Sequence, residues 1–214
     1  MGHLITLEDK GGQPLTPAEA NQNMKLLDLR TGDGWFDNES KLYLRDGPNS
    51  ADWQPFIGSI VAMRFIPNEV REGFVDYHVR HEWKPGTMMY PHVHFGVQAQ
   101  SAGRVRWGLE YTWANRNGSV MGFTKFQPVQ TIYLEYDLTT SSDLEHIVLE
   151  SPEGQGIDGT HMEVDAMILC RLFRDSSHPN DTFEFDAFAF NVDLHTETDR
   201  HSTPFRASPF YASE

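Results

Sequence analysis

Between Glu72 and Asn115, apolar residues recur at every second position in three successive runs. In the first, Val75, Tyr77, Val79, His81 and Trp83 share one face, and Phe74, Asp76, His78, Arg80 and Glu82 the other. In the second, Val93, Phe95, Val97 and Ala99 alternate with His92, His94, Gly96, Gln98 and Gln100. In the third, Val105, Trp107, Leu109, Tyr111 and Trp113 oppose Arg104, Arg106, Gly108, Glu110 and Thr112. A period of two is the pleat of a half-buried strand. The aromatic and β-branched content suits a sheet that faces a core on one side. Lys84-Pro85-Gly86 and Ser101-Ala102-Gly103 supply turn chemistry between the runs. The pattern predicts three consecutive, antiparallel neighbouring strands at the centre of an all-β domain.

The same reading extends to both sides. Phe56 to Phe65 is expected as one strand, Val120 to Phe126 and Thr131 to Leu138 as two more, and Glu145 to Glu150 as a short one. Asn115-Arg116-Asn117-Gly118 is expected to close a hairpin, because Asn-Gly suits positions of positive φ. Glu163 to Arg174 is the most continuous apolar run; its length permits a helix, but its strand-like neighbours favour a strand buried on both faces. Asp186 to His195 is expected as the last strand, with Phe188, Phe190, Val192 and Leu194 inward. Near the start, Thr16, Pro17 and Glu19 form an N-cap, a first-turn proline and a capping box, which predict one short helix. The Gly-, Asp- and Asn-rich stretch that follows reads as turns, short edge strands or an extended arm, either disordered or ordering on a partner. The expected architecture is therefore a jelly-roll-like antiparallel β-sandwich over residues 55–200, with a partly irregular N-terminal arm at 1–54 and a tail at 201–214.

Composition narrows the functional classes. A formal net charge of −14 disfavours nucleic acid or an anionic membrane as partner. No apolar run approaches the roughly 20 residues of a membrane-spanning helix, and the first residues lack a secretory signal pattern. The single cysteine, Cys170, excludes an internal disulfide framework and, within an apolar run, reads as a buried inert thiol.

The sharpest chemical motif is Tyr90-Pro91-His92-Val93-His94-Phe95. Histidines at i and i+2 on a strand project the same way and can share a metal. Jelly-roll metalloenzymes of the cupin type use such a pair, so a metal-dependent enzyme built on His92 and His94 is one alternative. The glutamate such enzymes place a few residues on is missing, since positions 97–100 read Val-Gln-Ala-Gln. Glu110 is a possible substitute, and His78, His146 and His161 are possible distant ligands. Two ligands of four do not make a centre, so no catalytic, cofactor-binding or metal residue is assigned, no cofactor is expected, and the protein is expected not to be an enzyme. Asp181, Glu184, Asp186 and Asp193 match no calcium loop and read as a solvated acidic face. Trp35, Trp53 and Trp113 are candidates for stacking on sugars, Trp113 being better placed in the core, and a carbohydrate- or receptor-binding module is the other alternative.

Three segments, HEWKPGTMMYPHVHFG, RVRWGLEYTWANRNG and LFRDSSHPNDTFEFDAFAFNVDLHTETDR, together with the leading LEDKGGQPLTPAEANQN, resemble a recurring module of tailed-bacteriophage virion proteins. The resemblance runs over roughly residues 12–205. It implies a virion structural protein with a β-sandwich module: a compact decoration, collar, or tail fibre or spike component, assembled in the host cytoplasm. The implied partners are other copies of the chain as a homotrimer and other virion proteins of capsid, collar or tail; a host surface glycan is the partner that the carbohydrate- or receptor-binding alternative adds. The expected trimer contact is the sheet carrying His92, His94 and Glu110, flanked by Tyr90, Trp83 and Trp113, with assembly weakening on acidification through imidazoles held neutral by burial.

Overall fold

In the computed structural model, the described residues are 33–199 together with Thr203, Arg206 and Phe210. The helix expected near Thr16 lies outside them. The described residues form ten strands and no helix. These are β1 (Asp33–Ser40), β2 (Asp52–Ile57), β3 (Ile60–Phe65), β4 (Arg71–His78), β5 (Met89–Val97), β6 (Gly103–Ala114), β7 (Gln130–Leu138), β8 (Ile147–Glu150), β9 (Met167–Arg174) and β10 (Ala187–Asp199).

The strands build two antiparallel sheets packed face to face. One has the order β2-β3-β10-β5-β8, with β1 also paired to β10; the other has the order β4-β9-β6-β7. β10 is long enough for its first residues to pair with β3 and its later ones with β1. Side chains of both inner faces meet in the core. The Trp107 ring of β6 lies 4.9 Å from Phe65 of β3 and 5.6 Å from Phe95 of β5, edge-on geometries that aromatic quadrupoles favour. The result is an all-β, jelly-roll-like sandwich, as the alternation implies.

Several expectations change. The three central runs do form strands with the inward residues expected, among them Val75, Val93, Phe95, Trp107 and Leu109. They are not neighbours: β5 lies in one sheet, β4 and β6 in the other, with β9 between them. A period of two says which residues turn inward but not which strand sits alongside, and in a sandwich sequential strands can face each other across the core. Phe56–Phe65 is a hairpin, β2 and β3, turned at Gly58 with φ of 56°. Val120–Phe126 is loop, so β6 and β7 are joined by residues 115–129 and not by a tight hairpin.

β9 alternates buried and more exposed residues from Met167 to Leu172, and only its last three residues, Leu172, Phe173 and Arg174, are buried in succession as a strand covered on both faces would be. In β10 the register shifts between Ala189 and Asn191. The extra residue of a bulge reverses which parity faces the core. Hence Ala187, Ala189, Val192 and Leu194 join the core, whereas Phe188 and Phe190 turn outward and pack against Phe56 in tilted and edge-on geometry, with ring centroids 5.2 and 5.0 Å apart. Residues 33–54, placed in the arm by composition, contribute β1, the start of β2, and the buried Leu42 and Ala51. Asp181 is not on a solvated face but forms a buried ion pair with Arg174. Asp186 lies 3.5 Å from Arg64.

Candidate functional site

The outer face of the larger sheet carries the chemistry. Alternate residues of its strands point away from the core: Tyr90, His92 and His94 from β5, Asn191, Asp193 and His195 from β10, and Trp35, Asp37 and Glu39 from β1. The register sets His92 opposite both Asp193 and Glu150, and His195 opposite both Tyr90 and Asp37. Directly opposed residues of an antiparallel pair bring their side chains within reach of one another.

At one end of this face, Trp35, Tyr90 and His195 form an aromatic wall. The Trp35 ring centroid is 5.1 Å from that of His195, edge-on, and 6.0 Å from that of Tyr90. His195 is further oriented by Glu150, 3.1 Å from its Nδ1. These residues, with Ser151 and Glu153, line a cleft of about 320 Å³. Trp35 is 54% exposed although both neighbouring rings hold it in place. A second cleft, of about 610 Å³, opens where β1 ends, and Trp53, Phe190, Glu39 and Lys41 are among its walls.

Between the clefts lies a polar cluster. His92 and Asp193 are both buried despite facing outward. His92 Nε2 is 3.6 Å from Asp193 Oδ2 and 3.7 Å from Asp37 Oδ1, and His94 Nε2 is 3.2 Å from Asp193 Oδ2. Asn191 donates to the other carboxylate oxygen of Asp193. His94 Nδ1 shares a 2.8 Å hydrogen bond with His146 Nε2. The two histidines of the motif are perturbed in opposite directions. Burial opposes charging of His92, but the carboxylates of Asp193, Asp37 and Glu150 outweigh it and raise its pKa above the ordinary imidazole value. Burial dominates at His94 and, with the fields of His92 and His146, lowers its pKa against the pull of Asp193. In the single chain, therefore, the carboxylates favour the charged form of His92 and burial favours the neutral form of His94, each relative to an ordinary imidazole.

The remaining candidates disperse. Glu110 lies in the opposite sheet, 3.7 Å from Arg171, so it cannot share a ligand or a subunit contact on one sheet with His92. His78 lies 3.2 Å from Asp165, and His161 stacks on Phe123. Trp83 and Trp113 are core residues. Burial raises the Cys170 thiol well above its ordinary value, which keeps it protonated and inert. Asp193, His195 and Asp37 were not singled out as partners of His92, although Asp193-Leu194-His195 repeats the i, i+2 spacing of the histidine pair.

No family model matches the chain, and no curated protein sequence matches it. Among solved structures, a family 11 carbohydrate-binding module from Clostridium thermocellum is similar at 14% identity and a TM-score of 0.33, over 79% of this chain and 91% of that one. The CBM22-1-GH10 modules of a Clostridium thermocellum endo-1,4-beta-D-xylanase, 10B, are similar at 12% identity and a TM-score of 0.33, over 77% of this chain and 26% of that one. Dimeric latent PorU from Porphyromonas gingivalis is similar at 16% identity and a TM-score of 0.32, over 84% of this chain and 16% of that one. Likeness at this level says nothing of what this chain binds, which its own sheet face must answer.

Proposed function

We propose that this protein is a glycan-binding module, non-catalytic, and that it works as a structural component of a tailed-bacteriophage virion. The observation that carries the binding role is the cleft of Trp35, Tyr90 and His195 beside Glu150 and Glu153. An exposed indole held between two other rings is a preorganised platform, and an apolar wall with a few convergent polar groups is the usual composition of a small-molecule site. A pyranose offers the complement, with an apolar C–H face for the indole and hydroxyls for the carboxylates. The net charge of −14 favours neutral or amino sugars over acidic ones. A glycan array probed with the purified chain tests the role. Binding that is weakened in Trp35→Ala and kept in Trp113→Phe supports it; binding to no glycan, or binding indifferent to Trp35, refutes it.

The virion placement is supported by the ordered sequence segments that resemble phage virion modules. On that reading the sandwich is displayed on the particle as a decoration, collar, or tail fibre or spike component, as a homotrimer held to capsid, collar or tail proteins. Immunogold labelling of intact particles tests the placement, and sedimentation equilibrium tests the trimer. Absence of label on every part of the particle, or a monomer at all concentrations, removes the respective claim without touching the cleft.

A further inference from the structure

We propose that His92, His94 and Asp193 form a binding site for one divalent transition-metal ion of the zinc class, on the outer face between the two clefts. One ligand atom from each of the three residues lies within 4.8 Å of the others. In a tetrahedral zinc site with bonds of about 2.0–2.1 Å, neighbouring ligand atoms stand roughly 3.4 Å apart. The two imidazole–carboxylate separations, 3.2 Å from His94 Nε2 and 3.6 Å from His92 Nε2 to the same Asp193 oxygen, bracket that spacing.

A hydrogen-bonded polar network would account for these residues equally well if every atom were satisfied. His94 Nε2 is not: it is sealed from solvent and, among the described residues, has no hydrogen-bond partner, although Asp193 Oδ2 is nearby. A buried polar atom left without a partner is costly, and a metal ion meets that need. The neighbouring groups orient the ligands as metal sites require. His146 engages His94 Nδ1, which leaves Nε2 for the ion. Asn191 engages one oxygen of Asp193, which leaves the other for the histidines. Asp37, 3.7 Å from His92 Nε2 and half exposed, groups with His92 and His195 and not with all three ligands, so the fourth position falls to a water. Two imidazoles and a carboxylate favour zinc, cobalt or nickel over calcium or magnesium. The ion would clamp β5 to β10, the strands that also carry Tyr90 and His195 of the first cleft.

The site stands independently of glycan binding, and its test uses the metal alone. Untagged, metal-stripped protein is titrated with zinc chloride by calorimetry and with cobalt chloride by visible spectroscopy. One equivalent per chain, a tetrahedral cobalt spectrum and a rise in Tm with zinc are expected. His92→Gln/His94→Gln should weaken zinc binding by at least ~100-fold, and His146→Phe by about 10-fold. His178→Gln, in the loop between β9 and β10, serves as control and should bind like the parent. Should the double variant fail to fold, Asp193→Asn, which preserves shape, must show the loss. No stoichiometric binding, or binding unchanged in the folded ligand variants, overturns the site.

Discussion

The Tyr77 hydroxyl crosses the sandwich from β4 and donates to the Val192 carbonyl of β10 at 2.5 Å. Both residues are buried, so this bond ties the smaller sheet to the strand that carries Asp193 and His195. Tyr77→Phe removes the donor and leaves the carbonyl without it. A loss of about 1–3 kcal/mol is expected by urea unfolding. An unchanged unfolding midpoint would show that the tie contributes nothing.

Arg174 and Asp181 form an ion pair at 2.7 Å with side-chain exposures of 0% and 2%. The guanidinium also donates to the Phe183 and Phe185 carbonyls, so it organises the loop that leads into β10. Removing one partner of a buried pair strands the other charge. Arg174→Met should destabilise the fold by roughly 3–5 kcal/mol, and Arg174→Met/Asp181→Leu should recover part of that loss. Equal midpoints for the parent and the single variant, by thermal or urea unfolding, would contradict this.

For the first cleft, Trp35→Ala should weaken glycan binding by roughly 10- to 30-fold, the scale of a central aromatic contact. Because Trp35 lies on the sheet surface, its far-ultraviolet circular dichroism and Tm should barely move. Affinity electrophoresis against the best array glycan measures the first, and a thermal scan the second.

Cys170 supplies a pH signature. Its folded pKa lies above the ordinary 9.0, so the folded state holds a proton that the unfolded state releases. The stabilisation is complete below that value and is lost as pH rises above it. Tyr77, raised mainly by burial, acts in the same direction at higher pH. Unfolding free energy should therefore fall above pH 9, less steeply in Cys170→Ala. The native thiol should resist a colourless disulfide reagent that labels it at once in denaturant; fast native labelling would refute its burial.

Much of the strand inventory was legible in the chain. Val93, Phe95 and Val97 turn inward in β5, and Val105, Trp107 and Leu109 in β6, because alternation is a local property of the pleat. From the same rule the sequence by itself determined the all-β character of the described residues and the shared face of His92 and His94.

Tertiary structure decided the rest. Pairing partners are set by long-range hydrogen bonds that local periodicity does not encode, so Glu110 ended in the opposite sheet from His92. The bulge after Ala189 reversed the parity of β10, which turned Phe188 and Phe190 outward and aligned Asp193 and His195 with the histidine face. The pairing of β1 to β10 then brought Trp35 and Asp37, distant in sequence, beside His195. Binding chemistry on a sheet requires side chains from several strands at once, and only the register between those strands determines which of them meet.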